Sequence, residues 1–211
     1  KKPKHQPPIG LSRLSPAHAE ILAMLIDAKA DVNAVQCFGL GPLAFAVMGP
    51  PGTSAHLGGH LTLVQQLVDA GATINLLEPG DEFFAEPRWA KAQKWYDEGE
   101  IRKFSYRTPL MSAAELGLCD ILEYLLEKQA DPGLANGDGL CPLMLAAQSE
   151  SPDAVAMLLD RGAAVDAESE HGTALMIAAA SGRTATVELL LQRGANISLV
   201  SPKEQQSALH R

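Results

Sequence analysis

Three stretches of the 211-residue chain lie in one register. PLMSAAELGLCDILEYLLEKQAD begins at Pro109, PLMLAAQSESPDAVAMLLDRGAA at Pro142, and ALMIAAASGRTATVELLLQRGAN at Ala174. The steps are 33 residues (109 to 142) and 32 residues (142 to 174). Each stretch carries a pair of alanines at one place (Ala113–Ala114, Ala146–Ala147, Ala178–Ala179) and a pair of leucines at another (Leu125–Leu126, Leu158–Leu159, Leu190–Leu191). Self-similarity at this period signals an array of small supersecondary units that bury their apolar faces only against their neighbours.

The chemistry of one unit is readable from its residues. Thr108–Pro109 opens a short helix, because proline suits a first turn whose N–H has no intrahelical partner. The alanine pair lets a neighbouring helix approach closely. Ile121, Leu122, Leu125 and Leu126 form one apolar stripe on a second helix. Gly162 and Gly194 close the second helices of their units, where a left-handed residue is favoured, with Gln129 as the variant. NGDG at 136–139 is a polar turn suited to a hairpin-like projection.

These residues closely resemble the ankyrin repeat family, whose units open T-P-L-H and close G-A-D-V-N. The resemblance extends backwards through GPLAFAV (41–47) and GHLTLVQQLVDAGATIN (59–75) to AHAEILAMLIDAKADVNA (17–34), and forwards to SALH at 207–210. It implies an all-α solenoid of helix–turn–helix units with hairpin-like fingers. The expected organisation is a Pro-rich basic tail or remnant at 1–14 and a partial repeat at 15–35. A repeat at 36–77 follows, carrying an interhelix insertion at 48–58, and then a finger insertion at 78–104. Repeats follow at 105–135, 136–167 and 168–200, and 201–211 opens a further one. A chain without an initiator methionine that stops inside a unit reads as part of a longer ankyrin repeat-containing protein.

Both insertions follow from the register. Pro142 to Gly162 spans 20 positions, whereas Pro42 to Gly71 spans 29, which places nine extra residues between two helices of one unit. Gly162 to Ala174 spans 12 positions and Gly71 to Pro109 spans 38, which places 26 extra residues in a finger. The segment EFFAEPRWAKAQKWYDEGEIRKFSY (82–106) within and beside that second insertion holds seven of the ten aromatic residues, both tryptophans included. Pro87 to about Glu98 reads as a helix stopped by Gly99. Its rings either pack the segment onto the neighbouring repeats or stand out as anchors for a partner, led by Trp95. A third reading is a segment that orders on binding.

In the family, fingers and first helices line a concave face that commonly receives protein partners. The candidates at matching positions are Phe38, Glu115, Asp138, Gln148, Glu168 and Glu170, and the insertion adds Trp89, Trp95, Tyr96 and Phe104. The acidic members, Glu115, Asp138, Glu168 and Glu170, would steer a basic peptide or protein. The resemblance implies a protein–protein interaction module, a scaffold or targeting domain. The competing class is a regulatory domain of a larger enzyme or channel, or a bacterial effector engaging host proteins.

A formal charge of −8 argues against a nucleic-acid module, which would carry a basic face. Three cysteines without a paired framework fit a reducing, intracellular and cytoplasmic setting. No apolar run reaches the length of a membrane span. His56 and His60 have the i, i+4 spacing of a helical metal pair, but the surrounding prolines and glycines disfavour a helix there. Neither a nucleophile motif nor a phosphate-cradling loop is recognisable, so no catalytic residue, metal or cofactor is expected. Asn33, with Leu25, Asp31 and Val32 before it, is similar to the pattern at which an asparaginyl hydroxylase modifies ankyrin repeats in animals. The same asparagine equally suits a finger-base residue that bonds the local backbone.

Overall fold

A computed structural model describes residues 16–34, 41–48, 61–76, 78–79, 106–202 and 206–210. The helices are α1 (Pro16–Asp27), α2 (Pro42–Met48), α3 (Leu61–Asp69), α4 (Pro109–Glu115), α5 (Cys119–Glu127), α6 (Pro142–Gln148), α7 (Pro152–Asp160), α8 (Ala174–Ala180) and α9 (Thr184–Gln192). One turn of 3-10 helix covers Ala208–His210. Two short strands, β1 (Glu78–Pro79) and β2 (Tyr106–Arg107), pair antiparallel with Glu78 opposite Arg107 and Pro79 opposite Tyr106.

The helices form two rows, and the fold is an all-α solenoid. α2, α4, α6, α8 and the 3-10 turn stack one on the next as the inner row. α1, α3, α5, α7 and α9 stack as the outer row, and α2 to α9 pair across the rows as four helix pairs. α2 packs on α4 and α3 on α5 directly, so the 26 extra residues between those pairs do not interrupt the stack.

Inner helices are short, and α4, α6 and α8 are mostly buried, because each has an inner-row neighbour on both sides and an outer helix behind it. Ala113, Ala114, Ala146, Ala147 and Ala178 have no exposed surface, which is what the close approach of adjacent inner helices requires. The outer helices bury one stripe; in α5 it is Ile121, Leu122, Leu125 and Leu126. Thr108 starts α4 as expected: its Oγ1 accepts from the Met111 N–H at 3.2 Å, and the Met111 sulfur receives the Thr108 N–H at 3.4 Å.

Every outer helix ends in the same way. The second residue beyond the helix is left-handed, at Lys29, Gly71, Gln129, Gly162 and Gly194. The next amide reaches back to the carbonyl of a leucine, from Ala30 to Leu25, Ala72 to Leu67, Ala130 to Leu125, Ala163 to Leu158 and Ala195 to Leu190. This is the Schellman arrangement. Two of the five positions carry a side chain where glycine is favoured, so the glycine signal alone finds three of the five turns.

A polar ladder runs along the bases of the fingers. Asn33 accepts from the Thr73 N–H at 2.8 Å and donates to the Gly71 carbonyl at 3.1 Å. Asn75 accepts from the Asp131 N–H at 3.0 Å, and Asp166 accepts from the Asn196 N–H at 2.9 Å. The corresponding position between these last two rungs is Gly133, which has no side chain to offer.

Candidate functional site

The fingers preceding α6 and α8 are tight turns built around buried polar residues. Asn136, 7% exposed, accepts from the N–H groups of Asp138 (3.0 Å) and Leu140 (2.9 Å). Its own N–H donates to the Leu140 carbonyl at 3.0 Å. One unit later, buried Ser169 accepts from the His171 N–H at 3.2 Å and donates its hydroxyl to the Gly172 carbonyl at 2.9 Å. Gly172 is left-handed (φ 96°), and a Cβ there would fall 2.4 Å from the Met176 sulfur. A buried side chain with its hydrogen bonds spent on the turn sets the finger's shape instead of meeting a partner. Glu168, Glu170 and His171 are the exposed side chains around buried Ser169, while Asp138 is half-buried in the neighbouring finger.

The ends of the inner helices supply the rest of this face. Gln148, Ala180 and Ser181 are exposed. The Gln148 carbonyl accepts from Arg183 Nε at 2.9 Å, and the same guanidinium pairs with Glu150 at 2.8 Å. Ser149 closes α6 by donating to the Ala146 carbonyl at 2.8 Å and accepting from the Ser151 N–H at 3.2 Å. Glu115, the last residue of α4, is paired with Arg107 of β2. Glu115 is therefore committed to an internal cation.

Asn33 stands at the base of a finger and is exposed. Both polar atoms of its amide are engaged by the backbone of the next unit. Phe38, Trp89, Trp95, Tyr96 and Phe104 lie outside the described residues, as do His56, His60, residues 49–58 of the interhelix insertion and the helix expected over 87–98.

On the outer row, Asp69 accepts from Lys128 Nζ at 2.7 Å and from the Tyr124 hydroxyl at 3.1 Å. The Lys128 and Tyr124 hydrogen bonds hold the Asp69 carboxyl below its ordinary range, and the Asp69 hydrogen bond raises Lys128 in turn. Arg193 repeats the arrangement on Asp160 at 2.7 Å. Burial pushes the Cys141 thiol up, which keeps it protonated and poorly nucleophilic.

Sequence reasoning missed Arg107, Arg183 and the two outer-row pairs, although a signal was present. Glu150 and Arg183 are 33 residues apart, as are Asp160 and Arg193, which is one repeat. Asp69 and Lys128 are 59 apart, the same repeat plus the 26 inserted residues. Opposite charges separated by one period mark contacts between neighbouring units.

No helix among the described residues is long and apolar enough to cross a membrane. No curated protein matches the chain. Residues 110–201 match the family model for ankyrin repeats (three copies), and ankyrin repeats are in general protein–protein interaction modules without catalytic activity. The paired helices, left-handed closing turns and fingers agree with that match, and residues 110–201 are ankyrin repeats.

Proposed function

We propose that this chain binds a basic segment of another protein along the face formed by its fingers and inner-helix ends, with the 78–104 insertion as a flank of that face. The observation that carries the reading is the pair of exposed carboxylates, Glu168 and Glu170, held on either side of buried Ser169. The turn beneath them is closed by its own hydrogen bonds, so presenting these charges costs little ordering on binding. Asp138 adds a third carboxylate from the next finger, and the chain's overall charge of −8 reinforces attraction of a cation-rich partner. Aromatic anchors in the insertion, Trp89, Trp95, Tyr96 and Phe104, would add contact area beside this charged strip, with Phe38 in an earlier finger.

Selection of a random peptide library on the immobilised protein tests the reading. Basic peptides should be enriched, and the Glu168→Lys/Glu170→Lys variant should lose them at unchanged melting temperature. Trp95→Ala should weaken capture far more than it lowers stability. Enrichment that is neutral or acidic, or that survives the charge reversal, sinks the proposal.

A further inference from the structure

Arg107 stands where three elements meet. Its backbone is opposite Glu78 in the β1–β2 pair, the two ends between which residues 80–105 are strung. Its side chain pairs with Glu115 at the end of α4. The next residue, Thr108, caps that same helix. Arg107 is 8% exposed, and Thr108 to Ala114 are all buried, so the guanidinium is tied to one of the most immovable elements of the solenoid.

The pair also resolves two local problems. A ribbon of two residues per strand is too short to hold itself together in water. A carboxylate at the C-terminal end of a helix faces the negative end of the helix dipole, which is unfavourable unless a cation sits beside it. A charge-assisted bond from Arg107 answers both, and its low exposure strengthens it.

We propose that Glu115 is a positioning residue: acting through Arg107, it fixes β2, the strand at the return end of the insertion, to the inner row. Its functional meaning rests on the insertion being a flank of that face, whereas the mount itself does not. The carboxylate thus serves partner binding indirectly, by holding the base of the insertion, and not by touching the partner.

Amide hydrogen exchange on the full chain tests the mount without a partner. Glu115→Gln removes the charge and keeps the shape, while Arg107→Met/Glu115→Gln removes both charges and leaves no buried cation behind. Both variants should exchange the amides of Glu78 and Arg107, the pair that can share both ladder hydrogen bonds because Pro79 has no N–H, at least tenfold faster than wild type, with the amides of α5 to α9 unchanged. Glu150→Gln, which breaks the exposed Arg183 pair, should leave those two amides at wild-type rates. Wild-type exchange at Glu78 and Arg107 in the double variant overturns the proposal. Loss of protection throughout α4 to α9 in the double variant also overturns it, since the pair would then serve the fold as a whole. A loosened strand pair with unchanged peptide selection leaves the mount standing and removes the flank role instead.

Discussion

Asn33 and Thr73 belong to successive units, and the 2.8 Å bond from the Thr73 N–H to the Asn33 amide oxygen joins the base of one finger to the next. Asn75 to Asp131 and Asp166 to Asn196 repeat the link. Between them Gly133 leaves a gap, although its backbone is placed like the others: its N–H donates to Asp131 at 2.8 Å, as that of Asn33 donates to Asp31 at 2.9 Å. Gly133→Asn should therefore add a rung to the Ala164 backbone and stiffen the unfolded chain, raising stability by about 0.5–1.5 kcal/mol. Asn33→Ala should lower it by about 1–2 kcal/mol, with two bonds lost. Urea midpoints measure both, and a Gly133→Asn protein no more stable than wild type would remove the ladder from the stability argument.

Gln129 takes a left-handed backbone (φ 67°) at the position where Gly71, Gly162 and Gly194 stand in other units. A side chain in that region is strained by about 1 kcal/mol. Gln129→Gly should relieve that strain and stabilise by about 0.5–1 kcal/mol after the extra freedom of the unfolded glycine is subtracted. Gly162→Ala should cost about 1 kcal/mol at the same turn. Chemical denaturation of the two variants side by side checks the sign, and equal midpoints would be the contrary result.

Much of the architecture was legible because periodicity reports burial. Ala113–Ala114 and Leu125–Leu126 recur in register, and a core position repeated every 33 residues can be seen without coordinates. Polar roles were less legible for a physical reason. Asn136 and Ser169 look like surface residues of a polar turn, yet the turn folds over their side chains and buries them. Glu115 looked like a free carboxylate because its partner, Arg107, precedes the helix in a strand that no local pattern announces. Asp69 and Lys128 were separated by the insertion, which displaced an otherwise regular spacing.

The Asp69–Tyr124–Lys128 group gives a pH dependence with a fixed sign. Hydrogen bonds from Lys128 and Tyr124 depress the folded-state pKa of Asp69 below the ordinary 3.8. Its contribution is therefore fully present above that value and is lost as pH falls through the lower folded-state pKa. Lys128 is raised above 10.5, so its contribution persists below that value and disappears as pH rises through the higher folded-state pKa. Asp69→Asn should thus be less stable than wild type across neutral pH and converge with it in strong acid. Because the pair is exposed, added salt should narrow the neutral difference. Denaturation midpoints from pH 2 to 8 in both proteins check this, and a difference that grows toward acid would contradict it.

Excision of the aromatic segment separates mount from stack. α2 lies directly on α4, and α3 on α5, so the apolar contacts between those units bypass residues 80–105. β1 and β2 already bring Pro79 opposite Tyr106, a distance that a short glycine-containing turn can close. The shortened protein should keep its helical circular dichroism and a single cooperative transition, with a midpoint change equivalent to less than about 1 kcal/mol, as is usual for changes away from the core. Two separate transitions, or loss of the α1–α3 amides from slow exchange, would show instead that the segment holds the first units to the rest. Binding is where the excision should be felt: basic peptides selected on the full chain should still be retained through Glu168 and Glu170, and those contacting Trp95 should be lost.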